Sequence, residues 1–176
     1  MLKKNLTLFI EINNSEFIFV VSNNSDNDSF EILHKDIIPI QGISNNKISD
    51  YELISSVLKK NILSIEQKIN IIFQDVILII DNFDCALLNF SGYKKLNGSQ
   101  LVKENITYIL NTLKLKINEI EKNYSIIHIF NSKYKLDGKE TENLPIGLFG
   151  NFYSHELSFF LIENNDLKNV KKIFNQ

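Results

Sequence analysis

The chain of 176 residues contains no arginine and no tryptophan, only one cysteine and only two prolines. Without a guanidinium group, it cannot hold a phosphate or a guanine edge through two parallel hydrogen bonds from one side chain. Its formal net charge of -2 predicts no bulk attraction to nucleic acid. We therefore expect no nucleic-acid partner.

The single cysteine, Cys85, excludes an internal disulfide and a cysteine-based zinc site. The three histidines, His34, His128 and His155, are scattered, and no pair has the i, i+4 spacing of helical metal ligands. We expect no metal site. No apolar run reaches the roughly 18 residues that a membrane-spanning helix needs. With 44% hydrophobic residues, the sequence predicts a globular protein, and the single cysteine suits a reducing cytoplasm.

The first 40 residues have the pattern of three antiparallel strands. Apolar residues alternate from Leu6 to Ile12, and the pattern resumes from Phe17 to Val21. Between these runs, Asn13 and Asn14 tolerate positive φ, which predicts a hairpin. A polar loop over residues 22–29, to which we assign no function, leads to a third strand that stops at Pro39.

A helix and a second type of strand follow. Ser49 or Asp50 can cap the helix, whose apolar positions recur at helical spacing: Leu53, Ile54, Val57, Leu58, Ile62 and Ile65. The continuous apolar run from Val76 to Ile80 is typical of a strand that is buried on both faces and paired in parallel. We therefore expect this strand at the centre of its sheet.

The second half of the chain reads as a strand, a helix and two further strands. Residues Phe83 to Tyr93 predict an irregular strand, and an apolar stripe from Val102 to Ile120 predicts a long helix. A strand near Tyr124 to Phe130 is followed by one that alternates cleanly from Tyr153 to Leu161. A short helix after Asn165 ends the pattern.

Three stretches carry a resemblance to a known family. Residues 127–138 combine a histidine, a spaced tyrosine and an Asp-Gly pair. Residues 145–150 read Pro-Ile-Gly-Leu-Phe-Gly, and residues 165–170 open the last helix. In this order they resemble bacterial cell-division proteins of the FtsA family, and residues 98–106 extend the resemblance toward the start of the chain.

The resemblance implies a fold and a set of boundaries. The fold is α/β: a partial actin-like (ASKHA) subdomain with an inserted strand-helix-strand-strand (SHS2-type) subdomain. Residues 1–82 would open the actin-like part, residues 83–162 would form the insertion that contacts partners, and residues 163–176 would return to the first part.

The resemblance also implies a function without catalysis. Such a protein is a scaffold that supports Z-ring assembly and recruits the divisome. Its partners would be FtsZ, FtsN-type cytoplasmic tails and further copies of itself. It would act in the cytoplasm at the inner face of the membrane, at the division site, and would contact the membrane only indirectly.

The family's cofactor is ATP, and its first phosphate loop reads Asp, a spacer, Gly and Thr. At the matching positions this chain has Glu11, Asn13 and Asn14, so both the glycine and the hydroxyl are replaced. A phosphate cradle needs backbone N–H groups that no Cβ obstructs. The family's second phosphate loop lies beyond Gln176. We therefore expect a degenerate loop and no bound nucleotide.

The alternating strand near the end of the chain suggests a partner-binding surface. Ser154, Glu156 and Ser158 occupy one face of this strand, opposite apolar residues on the other. This face is too polar to be buried, so we expect the small sheet to have an open face or edge for a peptide strand or a neighbouring subunit.

Two alternatives remain open on sequence alone. One is a PilM-like adaptor of type IV pilus assembly, which shares the insertion type and binds a short peptide of an inner-membrane protein. The other is an enzyme, for which Asp81 and Asp84 lie at the end of a strand, where α/β enzymes place carboxylates. Aspartate at such an exit is more often turn chemistry, and we expect no catalysis.

Overall fold

The structure is a computed structural model that describes residues 6–24, 30–81 and 83–174. Residues 25–29 of the expected polar loop lie outside these ranges. The chain divides into two compact units, one of Met1–Asp84 with Lys168–Gln176 and one of Cys85–Leu167. No helix among the described residues is long and apolar enough to cross a membrane.

Both units combine β-strands with α-helices, so the expected α/β class is confirmed. In chain order the elements are β1 (Leu6–Ile12), β2 (Glu16–Asn24), β3 (Phe30–Pro39), β4 (Ile43–Ser44), β5 (Lys47–Ile48), α1 (Tyr51–Ile69), β6 (Val76–Ile80), β7 (Cys85–Lys95), α2 (Lys103–Ile120), β8 (Tyr124–Leu136), β9 (Lys139–Thr141), β10 (Phe152–Glu163) and α3 (Asn164–Phe174).

The first unit contains a mixed four-stranded sheet in the order β3-β2-β1-β6. β1 pairs antiparallel with β2, and β2 pairs antiparallel with β3, which confirms the three expected antiparallel strands. β6 pairs with β1 in parallel, with Ile10 opposite Leu78. This pairing also matches the expectation from the apolar run in β6.

The expected position of β6 at the sheet centre is wrong. Within the described residues β6 is an edge strand whose one sheet neighbour is β1. Val76 and Leu78 pack on the core of the unit, whereas Ile77 and Ile79 are 47% and 46% exposed. A continuous apolar run does not reveal whether a layer covers the second face, because that layer comes from elsewhere in the chain.

The hairpin between β1 and β2 is present, but its turn differs from the expected one. Neither Asn13 nor Asn14 has positive φ. The side chain of Asn13 closes the turn instead, by accepting hydrogen bonds from backbone N–H groups. Positive φ occurs at other asparagines, such as Asn45 and Asn46 between β4 and β5.

The core of the first unit lies between the sheet and α1. Asp50 caps α1 by accepting a hydrogen bond from the backbone N–H of Leu53 at 3.0 Å, as the sequence predicts. Leu53 itself is 39% exposed, unlike the rest of the predicted stripe. Ile54 and Leu58 pack against buried residues of β1 and β2.

The second unit is a sheet in the order β7-β10-β8-β9 with α2 packed on one face. Ile109, Leu113 and Ile117 of α2 share a core with the alternating apolar residues of β10. The predicted stripe is thus confirmed, except that its ends, Val102 and Ile120, are exposed. β7 is regular rather than irregular, since it pairs with β10 without a register shift.

The Asp-Gly pair of the family-like stretch forms a tight turn. Asp137 and Gly138 both have positive φ, 50° and 79°, and join β8 to β9. Oδ1 of Asp137 also accepts hydrogen bonds from the backbone N–H groups of Asn151 and Phe152. The turn therefore holds the start of β10 beside the end of β8.

Candidate functional site

The residues at the expected phosphate-loop positions form a compact turn that is closed by hydrogen bonds within the turn itself. Oδ1 of Asn13 accepts from the backbone N–H groups of Ser15 at 3.0 Å and Glu16 at 2.8 Å. Glu11 is half-buried inside β1, opposite Ile79 of β6, and Asn14 is exposed at the tip. The N–H groups of Ser15 and Glu16 therefore already have an acceptor within the turn and are not free to hold an anion.

The predicted partner-binding residues lie together on the face of β10 that points away from α2. In the register with β7, Ser154 lies opposite Tyr93, Glu156 opposite Ser91 and Ser158 opposite Asn89. All three predicted residues are half-buried by their neighbours. We call the surface formed by Ser154, Glu156 and Ser158 the polar face.

Cross-strand hydrogen bonds order one end of the polar face. The hydroxyl of Ser158 donates to Oδ1 of Asn89 at 2.7 Å, and it also lies within hydrogen-bond distance of the Ser132 hydroxyl. These bonds connect β7, β10 and β8 across the sheet. Ser158 therefore stabilises the sheet as well as contributing to its surface.

The other end of the polar face carries charge. Glu156 lies opposite Lys133 of β8, and Ser154 lies opposite Lys135. These four side chains and Ser91 surround a depression of about 40 Å³. Small-molecule sites usually measure hundreds of cubic ångströms, so this depression is too small for a metabolite and fits contact with a macromolecule.

Aromatic rings flank the polar face along the strands. Tyr93 and Phe152 stack with ring centroids 5.3 Å apart, and Phe130 meets Phe160 edge to face at 5.4 Å. Tyr93 and Phe130 are more than half exposed. Aromatic side chains are enriched at protein interfaces, so these exposed rings favour a partner contact beside the polar face.

β10 itself is paired on both sides, with β7 and with β8. No peptide strand can therefore add to β10, and only its face is accessible. In the part of the chain that the structure describes, the edges of this sheet are β7 and β9.

The α2 side of the sheet holds a buried polar cluster that the sequence pattern does not reveal. Nε2 of His155 lies 3.0 Å from Oδ1 of Asn131, and the His155 ring lies 4.9 Å from that of Tyr134. Nδ1 of His155 and the hydroxyl of Tyr153 are buried without a hydrogen-bond partner among the described residues. The alternation of residues along β10 puts His155 on the same face as Tyr153 and Leu157. This pattern was the signal from which the burial of His155 could have been predicted.

Burial controls the protonation of this cluster. Loss of solvation lowers the pKa of His155, because the imidazolium form would lose its hydration. Burial likewise raises the pKa of Tyr153, and the proximity of Tyr134 adds to this. An acceptor at Asn131 favours the neutral tautomer with the proton on Nε2. The cluster is uncharged at neutral pH and contains no activated nucleophile.

The two sets of predicted residues lie in different units, Glu11, Asn13 and Asn14 in the first and the polar face in the second. Among the described residues, no group of three histidine, cysteine or acidic side chains is placed to hold a metal ion. Of the two predicted sets, only the residues of the polar face lie together on an accessible sheet surface that a partner could contact.

No protein-family model matches the chain. It is similar to two proteins named cell division protein FtsA. One is from Buchnera aphidicola subsp. Schizaphis graminum, 22% identical over 169 residues, and the other from Buchnera aphidicola subsp. Baizongia pistaciae, 25% identical over 150 residues. The matches cover 96% and 85% of this chain.

The chain spans 40% and 35% of the length of these relatives. The similarity supports a distant relationship to FtsA. Neither relative supports the alternative of a PilM-like pilus adaptor.

Proposed function

We propose that the chain is a non-catalytic cell-division scaffold that supports Z-ring assembly and recruits divisome proteins. The observation that carries this proposal is a match to a protein named cell division protein FtsA over 96% of the chain. The aligned length includes residues of both compact units. Its partners would be FtsZ, FtsN-type cytoplasmic tails and further copies of the chain, all on the cytoplasmic side of the membrane at the division site.

In this proposal the two units have separate roles. The first unit, with its mixed sheet and α1, corresponds to a partial actin-like subdomain. The second unit corresponds to the inserted subdomain, since β7, α2, β8 and β10 follow the order strand, helix, strand, strand, with β9 as an addition. The partner surface is the polar face of the second unit.

Nucleotide has no part in this function. The degenerate loop at Glu11, Asn13 and Asn14 lacks glycine, and Asn13 occupies the N–H groups of Ser15 and Glu16. Isothermal calorimetry of the chain with magnesium and ATP should give no binding heat. A micromolar affinity would contradict this part of the proposal and leave the partner surface to be judged separately.

The scaffold function is tested by titrating the ¹⁵N-labelled chain with synthetic cytoplasmic tails of division membrane proteins from the same organism. We expect chemical-shift changes that cluster around Ser154, Glu156 and Ser158. For a basic tail, Glu156→Lys should weaken binding, because it replaces the carboxylate of the polar face with a like charge.

The matched control is Glu140→Lys, which makes the same change at an exposed position of β9. It should leave the affinity for the tail unchanged. Shifts that avoid β10 altogether, or equal losses in both variants, would reject the polar face as the partner surface. Failure of every division tail to bind would reject the recruitment function.

A further inference from the structure

β7 has the geometry of an acceptor for a further strand. All 11 of its residues pair with β10, and the register has no shift from Cys85 to Lys95. Within the described residues no strand pairs with its other side. In an antiparallel pair, every second residue directs both its N–H and its C=O away from the partner. From residue 86 to residue 95, β7 therefore presents a long, regular row of backbone donors and acceptors.

An apolar groove runs beside this edge. It lies between β7 and α2 and has a volume of about 470 Å³. Phe90 and Gly92 of β7 contribute to its lining, as do Tyr108, Ile109 and Leu113 of α2. We call it the β7 groove. A strand added to β7 would place alternate side chains over α2, where the groove offers them apolar contact.

The charges at the β7 groove are positive. Lys116 of α2 lines it, and no acidic side chain does so among the described residues. The ammonium group of Lys94 lies 4.2 Å from the ring centroid of Tyr108, and Lys95 ends the strand. An incoming segment with carboxylates would meet these ammonium groups, whereas a basic one would be repelled.

The opposite side of the sheet is less suited to strand addition. β8 pairs with β10 through two register shifts, between Glu156 and Leu157 and between Phe160 and Leu161. Such bulges bend a strand and interrupt the regular spacing that a further strand needs. β7, in contrast, is unbroken over its whole length. The β7 edge is therefore the better acceptor for a further strand.

We propose that the β7 groove binds an extended acidic peptide segment, which adds to β7 as a fifth strand and places apolar side chains between β7 and α2. This site is separate from the polar face and does not depend on a role in cell division. A second copy of β7 is a poorer occupant, because its sequence contains no carboxylate for Lys116.

The probe is an acetylated, amidated nonapeptide in which valine alternates with glutamate and threonine. NMR titration of the ¹⁵N-labelled chain should shift the amides of β7 and of residues 108–120. Two isomers of the probe carry N-methyl groups on alternate residues, one set on the odd positions and one on the even. Successive N–H groups of a strand point to opposite edges, and only those on the edge facing β7 can donate to it. One isomer should therefore lose binding and the other should keep it.

Lys116→Glu should weaken binding of the probe by about fivefold or more, as expected for reversing an exposed charge beside an acidic ligand. The matched control Lys139→Glu alters β9, at the other edge of the sheet, and should leave the affinity unchanged. Circular dichroism should show both variants folded.

Three results would overturn the proposal. The first is binding of both N-methylated isomers as tightly as the parent peptide. The second is a set of shifts that lies outside β7 and α2. The third is sedimentation of the free chain as a dimer that pairs through β7 and excludes the probe at all concentrations.

Discussion

Gly92 of β7 and Ile109 of α2 are in such close contact that a methyl group on Gly92 would overlap Cγ2 of Ile109. Gly92 is extended rather than left-handed, since it is absent from the positive-φ residues of the described chain. Its role is therefore close approach of two elements, and not a special backbone conformation. This contact sets how near α2 lies to the edge strand.

Gly92→Ala should destabilise the second unit by about 1–3 kcal/mol through overpacking. Ile109→Ala alone should also destabilise it, because it leaves a cavity in the core. The double variant should be more stable than the sum of the two single effects, because the added methyl group fills part of that cavity. A double-mutant cycle measured by chemical denaturation gives the coupling, and strict additivity would contradict the contact.

Two leucines of α2 provide a test of the helix orientation. Leu113 is 6% exposed and packs in the core of the second unit, whereas Leu115 is 65% exposed. Leu113→Ala should cost about 2–5 kcal/mol of unfolding free energy. Leu115→Ala, the same change two residues away, should stay within about 0.5 kcal/mol. NMR peak intensities of this unit, followed in increasing denaturant, measure the unfolding free energy of each variant. Similar losses of stability in the two variants would mean that α2 is rotated.

The turn between β1 and β2 depends on one of two neighbouring asparagines. Asn13→Ala removes the acceptor for the N–H groups of Ser15 and Glu16 and should cost about 1 kcal/mol. Asn14→Ala changes an exposed residue at the tip and should have an effect below about 0.5 kcal/mol. Urea denaturation, followed by signals from the first unit, compares the unfolding free energies of the two variants. A larger loss of stability in Asn14→Ala than in Asn13→Ala would mean that Asn14 holds the turn.

The buried imidazole of His155 should make the second unit sensitive to acid. Its lowered pKa in the folded state means that the unfolded chain binds more protons once the pH falls below about 6.5, the usual histidine value. The stability contribution of neutral His155 is thus fully present above this pH and is lost as the pH falls through the folded-state pKa. Its neighbours Asn131, Tyr134 and Tyr153 offer no carboxylate to an imidazolium.

Thermal unfolding between pH 7.5 and pH 5 measures this dependence. The variant His155→Gln removes the titrating group and should flatten the fall in melting temperature, even if its stability at pH 7.5 is lower. The control His128→Gln replaces an exposed histidine of β8 and should keep the original slope. An unchanged slope in His155→Gln would show that another group causes the acid sensitivity.

Local patterns predicted much of each unit. Asp50 caps α1 because its side chain competes well for free N–H groups at a helix start, and this requires only its neighbours in sequence. The Asp137-Gly138 turn is equally local, since the two residues tolerate positive φ. The turn at Asn13 shows the limit of such rules: an asparagine can close a turn through its backbone or through its side chain.

The sequence pattern alone was enough to identify the apolar face of β10 and the buried stripe of α2, because side-chain periodicity is a property of one element. The three-dimensional arrangement was needed to show that, within the described residues, β10 is central, β6 and β7 are edges and Nδ1 of His155 has no hydrogen-bond partner. Those features depend on which distant segments supply the neighbours of a strand. A strand carries the same residues whether one or both of its sides are paired, so its own pattern cannot show which sides remain open.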